Sequence, residues 1–202
     1  MQSIKIKLFC LFVLLCQAVP CYSYTDSIHE IKNTEASKLI KLKTSEGDIT
    51  ISLFTDKAPE TVKNFIYYAK NGSYKGTIFH RVISNFMIQG GGHLPDMSQI
   101  SAIDPIVNES SNNLGNKKGT VAMARTSDPH SATSQFFINL IDNNFLDKNN
   151  APDNFGYCVF GEVVEGMEVV ERIGATDTGT KLGFSDVPLK NIIIEDVEII
   201  EE

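Results

Sequence analysis

Short apolar runs punctuated by Gly, Asn and Asp constrain this chain more than any other feature. They lie at Leu39–Lys43, Asp48–Leu53, Thr77–Val82, Phe86–Gln89, Gly119–Ala124, Gln135–Leu140, Tyr157–Val164 and Ile192–Ile200. Runs of this length, bounded by turn residues, suit strands rather than helices. In the second run Ile49, Ile51 and Leu53 alternate with polar residues, which buries one face of a strand. Joined to Leu39–Lys43 through Ser45-Glu46-Gly47, it reads as a β-hairpin. Two segments carry helical spacing instead. Val62, Phe65, Ile66 and Ala69 share one face after Pro59, whose fixed φ suits a helix start, and Asn71-Gly72 stops the run. Met167, Val170 and Ile173 mark a shorter helix. The expected fold is mainly β: about eight short strands closed into a β-barrel, its ends covered by two α-helices. Closure removes exposed sheet edges. The polar, Asn-rich stretches 91–116 and 142–155 are long enough to be functional or mobile loops.

The N-terminus reads separately. Lys5 and Lys7 precede the uncharged stretch Leu8 to Val19. As a helix it would span roughly 18 Å, against a hydrocarbon core of roughly 30 Å. It is too short to cross a bilayer and fits the apolar core of a signal peptide, with Cys21 and Ser23 as the small residues before a cut after Ser23. An uncleaved anchor or a buried N-terminal helix is the alternative. The expected organisation is a signal peptide at 1–23, a polar lead-in at 24–37 and one domain at 38–202. The expected location is the periplasm or the exterior, with no stable membrane insertion after cleavage. Cys10, Cys16 and Cys21 would leave with the signal peptide. Cys158 would remain alone in an apolar run, as a buried inert thiol.

Several chemistries are set aside. The formal charge of −7 argues against nucleic acid as a partner. His29, His80, His93 and His130 lack paired metal-ligand spacing, so no metal and no cofactor are expected. Gly90-Gly91-Gly92 is not followed by the Lys and Ser/Thr of a phosphate loop, and no Ser sits in a nucleophile elbow.

What remains is Phe79-His80-Arg81-Val82-Ile83-Ser84-Asn85-Phe86-Met87-Ile88-Gln89-Gly90-Gly91-Gly92, with Ser134-Gln135-Phe136-Phe137 further on. A permanent cation beside apolar side chains suits rotation of a prolyl bond. Rotating an ordinary peptide bond costs about 18–20 kcal/mol, and uncatalysed X-Pro isomerisation takes tens to hundreds of seconds. No covalent bond breaks, so no nucleophile, metal or general base is required. In the twisted state the proline nitrogen regains its lone pair and accepts a hydrogen bond. A donor aimed there favours the transition state over the ground state. Arg81 can be that donor. Phe86, Met87, Phe137 and Leu146 can hold the ring, and Gln89 can fix the substrate carbonyl or orient Arg81. Taken singly, each has a bland reading: Arg81 a surface cation, Gln89 a strand polar residue, the others core. His80 reads as a structural neighbour of Arg81, and Asp147 as loop or cap chemistry.

Residues 79–92 resemble the signature of the cyclophilins, a peptidyl-prolyl isomerase family. Met123-Ala124-Arg125, Ser134–Asn139, Phe145-Leu146-Asp147 and Phe155–Glu162 are similar to cyclophilin blocks in the same order, and the likeness covers about residues 38–200. It implies an eight-stranded antiparallel barrel with two capping helices. Arg81 and Gln89 would be the catalytic pair, and Phe86, Met87, Phe137 and Leu146 the proline pocket. Main chain near Ala124 and Arg125 would hold the substrate backbone. Phe145 stands where eukaryotic members usually carry Trp. That loses an indole N–H, so tight cyclosporin binding is not expected. Tyr157 stands where many members have a pocket His and would wall the site. Both changes resemble the bacterial branch, and the signal sequence points to its periplasmic members. Proline-containing polypeptides are the expected partners of a monomer. A binding module or chaperone on the same fold is the second reading, and a structural subunit the third.

Overall fold

Residues 38–200 are described by a computed structural model; the expected signal peptide and lead-in lie outside these described residues. β1 (Leu39–Thr44) and β2 (Gly47–Leu53) form the expected hairpin, followed by α1 (Pro59–Lys70), β3 (Phe79–Ile83), β4 (Met87–Gly90), β5 (Thr120–Met123) and β6 (Phe136–Asn139). Then come β7 (Val159–Glu165), α2 (Met167–Gly174), β8 (Thr178–Lys181), β9 (Phe184–Pro188) and β10 (Ile194–Ile200). Eight of the strands make one sheet in the order β10-β1-β2-β7-β5-β6-β4-β3. Every pairing in it is antiparallel.

The expected closure is met only in part, and the fold is better described as a half-barrel with a pinned seam. The end strands β3 and β10 share no continuous ladder. They meet near an isolated bridge at Ile78–Ile193, beside the bonds Phe79 N–H to Ile192 O (3.0 Å) and Ile194 N–H to Thr77 O (2.7 Å). Beyond this point β9 packs beside β3 and covers that edge. The hairpin β8–β9 is an addition to the expected strands.

The concave side is filled, not hollow. Phe65 from α1 packs its ring 5.1 Å from Tyr74, 5.3 Å from Phe136 and 5.1 Å from Phe160. Such pairs add about 0.5–1.5 kcal/mol each beyond their buried area. Val62, Phe65 and Ala69 are buried as their spacing requires, together with Tyr68. Ile66 is only half-buried, because the stripe that faces the sheet runs through Thr61, Phe65 and Tyr68. In α2 the buried residues Val169, Val170 and Ile173 do the same work at the other side. The N-terminus of α1 has no cap from its own preceding residue. The Glu109 carboxylate instead accepts from Glu60 N–H (3.2 Å), Thr61 N–H (2.8 Å) and the Thr61 hydroxyl (2.7 Å). This satisfies donors that a helix start leaves orphaned, and puts negative charge at its positive end.

Candidate active site

With the concave side full, a site must lie on the outer face. Alternation along the strands puts it there. In β6 Phe136 joins the core, while Phe137 belongs to a second apolar cluster with Met87, Ala122, Leu146 and Val159. In β4 Ile88 points into the core, which leaves Met87 and Gln89 on the other face.

Arg81 needs one more device. Phe79 and Arg81 are two residues apart and would share a face in an unbroken strand. Yet Phe79 is fully buried in the core and Arg81 is half-exposed. The register explains this: Phe79 lies opposite Gly90 and Arg81 opposite Gln89, so His80 is one residue too many on β3. That β-bulge turns Arg81 outward. A row then crosses the sheet: Arg81 opposite Gln89, Gln89 opposite Phe137, Phe137 opposite Ala122.

Nine of the ten expected site residues line one cleft of about 100 Å³: Arg81, Phe86, Met87, Gln89, Ala124, Arg125, Phe137, Leu146 and Tyr157. By volume this is room for about three waters, the scale of one small ring. Met87, Phe137 and Leu146 are buried, and Phe86, Ala124 and Tyr157 pack partly against them. The Phe137 and Tyr157 rings meet edge to face at 5.7 Å. Phe145 is the exception. It is 56% exposed, stacks on Phe86 at 5.6 Å, and lines a neighbouring hollow of about 560 Å³ instead.

The loop carrying Leu146 is held by buried amides. Asn143 Nδ2 donates to Phe86 O (2.9 Å) and to Asn139 Oδ1 (2.7 Å), and Asn143 N–H donates to Asn116 O (2.7 Å). Asp147 Oδ1 accepts from Asn116 N–H at 2.7 Å. Phe86 and Leu146 are thereby fixed to the same anchor.

The two cations on the cleft differ. Arg125, whose main chain is expected to hold the substrate backbone, has a side chain only 5% exposed. Its Nε donates to Gly156 O (3.1 Å), its Nη1 to Thr126 O (3.0 Å), and its Nη2 pairs with Asp153. Its guanidinium lies 4.5 Å above the Tyr157 ring. The N–H groups of Gly156 and Phe155, aided by Arg125, pull the Asp153 carboxyl down to about 2. Arg125 is thus a clasp that shapes the wall, with its donors spent. Arg81 makes one long bond, from Nη1 to Gln89 Oε1 at 3.5 Å. Its Nε lies 3.9 Å from Asp186 Oδ2, and its Nη2 makes no hydrogen bond among the described residues.

The sequence reading missed Gln135. Its Oε1 accepts from Gln89 Nε2 at 2.9 Å, which orients the Gln89 oxygen toward Arg81. It stands two residues before Phe137, on the same outer face, and that spacing was the available signal. Gln135 lies so close over Gly92 that a Cβ there would fall 2.3 Å from its Cγ. Gly91 has φ +77°, and a Cβ would meet the Phe136 ring at 2.8 Å. The glycine run is therefore packing room around the site. His80, behind Arg81, sets its ring 4.3 Å from that of His93 at a tilt of 47°, and both residues are buried. Burial first, then the neighbouring His93, lowers His80 to about 4, so it stays neutral. Cys158 is buried, and burial pushes its thiol up to about 11.

The chain is similar to known proteins along nearly all of its described length. The family model described as cyclophilin type peptidyl-prolyl cis-trans isomerase/CLD matches residues 39–199. Peptidyl-prolyl cis-trans isomerase B of Escherichia coli is 53% identical over 164 residues, covering 81% of this chain and 100% of that protein. A peptidyl-prolyl cis-trans isomerase of Streptomyces antibioticus is 53% identical over 80% of this chain and 98% of its own. Among solved structures, a cyclophilin type isomerase of Cryptosporidium parvum superposes with a TM-score of 0.64 at 27% identity, over 83% of this chain and 99% of that one.

Proposed function

The chain belongs to the cyclophilin-type peptidyl-prolyl cis-trans isomerases, and on that premise we propose that it turns X-Pro bonds of exported polypeptides by stabilising the twisted amide electrostatically. The observation that carries the mechanism is Arg81, whose guanidinium lines the cleft beside its apolar residues and keeps Nη2 free of any hydrogen bond among the described residues. Proline binds with its ring on Phe86, Met87, Phe137 and Leu146, walled by Tyr157. As the amide twists, its nitrogen becomes pyramidal and accepts from Arg81. Gln89, held by Gln135, keeps the guanidinium facing the ring. The donor is already in place, so little reorganisation is needed at the barrier, and the apolar wall strengthens the contact. Ala124 N–H is committed to Gln135 O at 2.9 Å, so substrate backbone pairing at Ala124 uses its carbonyl oxygen.

Export rests on Lys5 and Lys7 followed by the uncharged stretch from Leu8 to Val19. The mature form is a periplasmic or secreted monomer without stable membrane insertion. Its affinity for cyclosporin is low, because Phe145 offers no N–H. The test is turnover of a proline-containing peptide by wild type and Arg81→Ala, beside N-terminal sequencing of the exported protein. A large loss of rate and a start at Tyr24 are expected. Equal rates would remove Arg81 from the mechanism, and an intact N-terminus would remove the processed form.

A further inference from the structure

We propose that Asp186, on the added hairpin β8–β9, is a positioning residue for Arg81. This deepens the reading of Arg81 given above and rests on it. Asp186 Oδ2 lies 3.9 Å from Arg81 Nε, while Arg81 Nη1 reaches Gln89 Oε1 at 3.5 Å. The guanidinium is thus held from two sides, at Nε and at one terminal nitrogen. Contacts at Nε and at Nη1 both favour one setting of the guanidinium plane, which gives Nη2 one preferred heading.

The hairpin is built to present this carboxylate. Phe184 sets its ring edge to face at 5.3 Å against buried His93. Val187 is buried with Ile78, Met97 and Ile193. Lys181 Nζ donates to Pro95 O at 2.7 Å and to Asn191 Oδ1 at 3.4 Å. Between these anchors Asp186 has φ +60°, a left-handed conformation that Asp tolerates better than most residues. Stability does not explain the pair, since Arg81 and Asp186 are 43% and 42% exposed. Exposed ion pairs of this kind contribute little to folding. Orientation of a reacting group is a different matter, because small misplacements there cost rate.

The test is a double-mutant cycle on the full mature protein with a proline-containing peptide: wild type, Asp186→Asn, Arg81→Ala and the double variant. Asn keeps the shape and tolerates the same backbone conformation. Asp186→Gly, which favours positive φ, serves as a second way to remove the carboxylate. Expected is a threefold to tenfold fall in kcat with KM and Tm unchanged, and no further fall when Asp186→Asn is added to Arg81→Ala. The Arg81 Nε–H resonance should broaden in Asp186→Asn as the guanidinium begins to swivel. An unchanged or increased kcat in both Asp186 variants overturns the inference while leaving Arg81 in place. So does an equal loss in the Arg81→Ala background. Full activity in Arg81→Ala itself overturns the underlying reading, and the inference with it.

Discussion

Acid should unfold this protein through the histidine pair behind Arg81. His80 and His93 are 5% and 3% exposed, with ring centroids 4.3 Å apart. Three of their ring nitrogens, His80 Nδ1 and both of His93, have no hydrogen-bond partner among the described residues. Both groups titrate below the ordinary value of 6.5, chiefly through burial, and His80 is lowered to about 4. Between pH 6.5 and about 4 the unfolded chain takes up the proton that folded His80 refuses. Stability is therefore fully present above pH 6.5 and is lost as pH falls toward 4. The drop of about 2.5 pH units corresponds to about 3 kcal/mol from His80 alone, and His93 adds to it in the same direction. The assay is urea unfolding at pH 7, 6, 5 and 4. Asp153 acts in a separate, lower window, since its depressed carboxyl is lost only as pH falls from about 4 toward about 2. His93→Phe isolates the pair: it removes two unpartnered nitrogens and the repulsion on His80, and keeps a ring against Phe184. It should raise stability at pH 5 and flatten the slope. A stability that stays level from pH 7 to 4.5, or an unaltered slope in His93→Phe, would refute the reasoning.

Three further outcomes follow from the packing around the cleft. Gly92→Ala should push Gln135 off Gly92 and unseat Gln89, lowering kcat for a proline peptide several-fold while circular dichroism stays native; an unchanged kcat would deny the Gln135–Gln89 relay a role. Asn143→Ala should cost about 1–3 kcal/mol, because Asn143 is fully buried and its loss leaves Asn139 Oδ1 unpaired and takes one of two donors from Phe86 O; chemical denaturation measures it. Phe145→Trp restores an exposed N–H beside Phe86 and should tighten cyclosporin binding at least tenfold by titration calorimetry, with turnover little altered.

Much of this architecture could be read from the chain because each strand obeys one simple pattern. Ile49, Ile51 and Leu53 alternate, all are buried, and the hairpin they announce is present. α1 begins at Pro59 and ends before Asn71, as its residues dictate. β8 and β9 escaped notice for the converse reason. They contain Gly179, Pro188 and mostly exposed or half-exposed positions, so no alternation of apolar residues betrays them. The bulge at His80 was equally hidden. It exists only in the pairing of β3 with β4, and pairing register is a property of two strands together. The gathering of Arg81, Met87, Phe137 and Tyr157 around one cleft was legible through likeness to a family. Their separation from the core was not, because Phe136 and Phe137 look alike until alternation assigns one to each face. Arg125 shows the limit of residue type as a guide: its charge suggested solvent, but Asp153, Gly156 and Tyr157 surround it.

The central claim is that the guanidinium lowers the barrier of the bound amide and does not merely help hold it. The most direct measurement is the rate at which an Ala-Pro peptide interconverts while bound, read by NMR exchange at saturating enzyme for wild type and Arg81→Ala. The account predicts a fall of about 10²–10³-fold in that rate, the scale for removing one preorganised donor, with the affinities of both isomers nearly unchanged. A bound-state rate that survives the substitution, with weakened affinity alone, would contradict it.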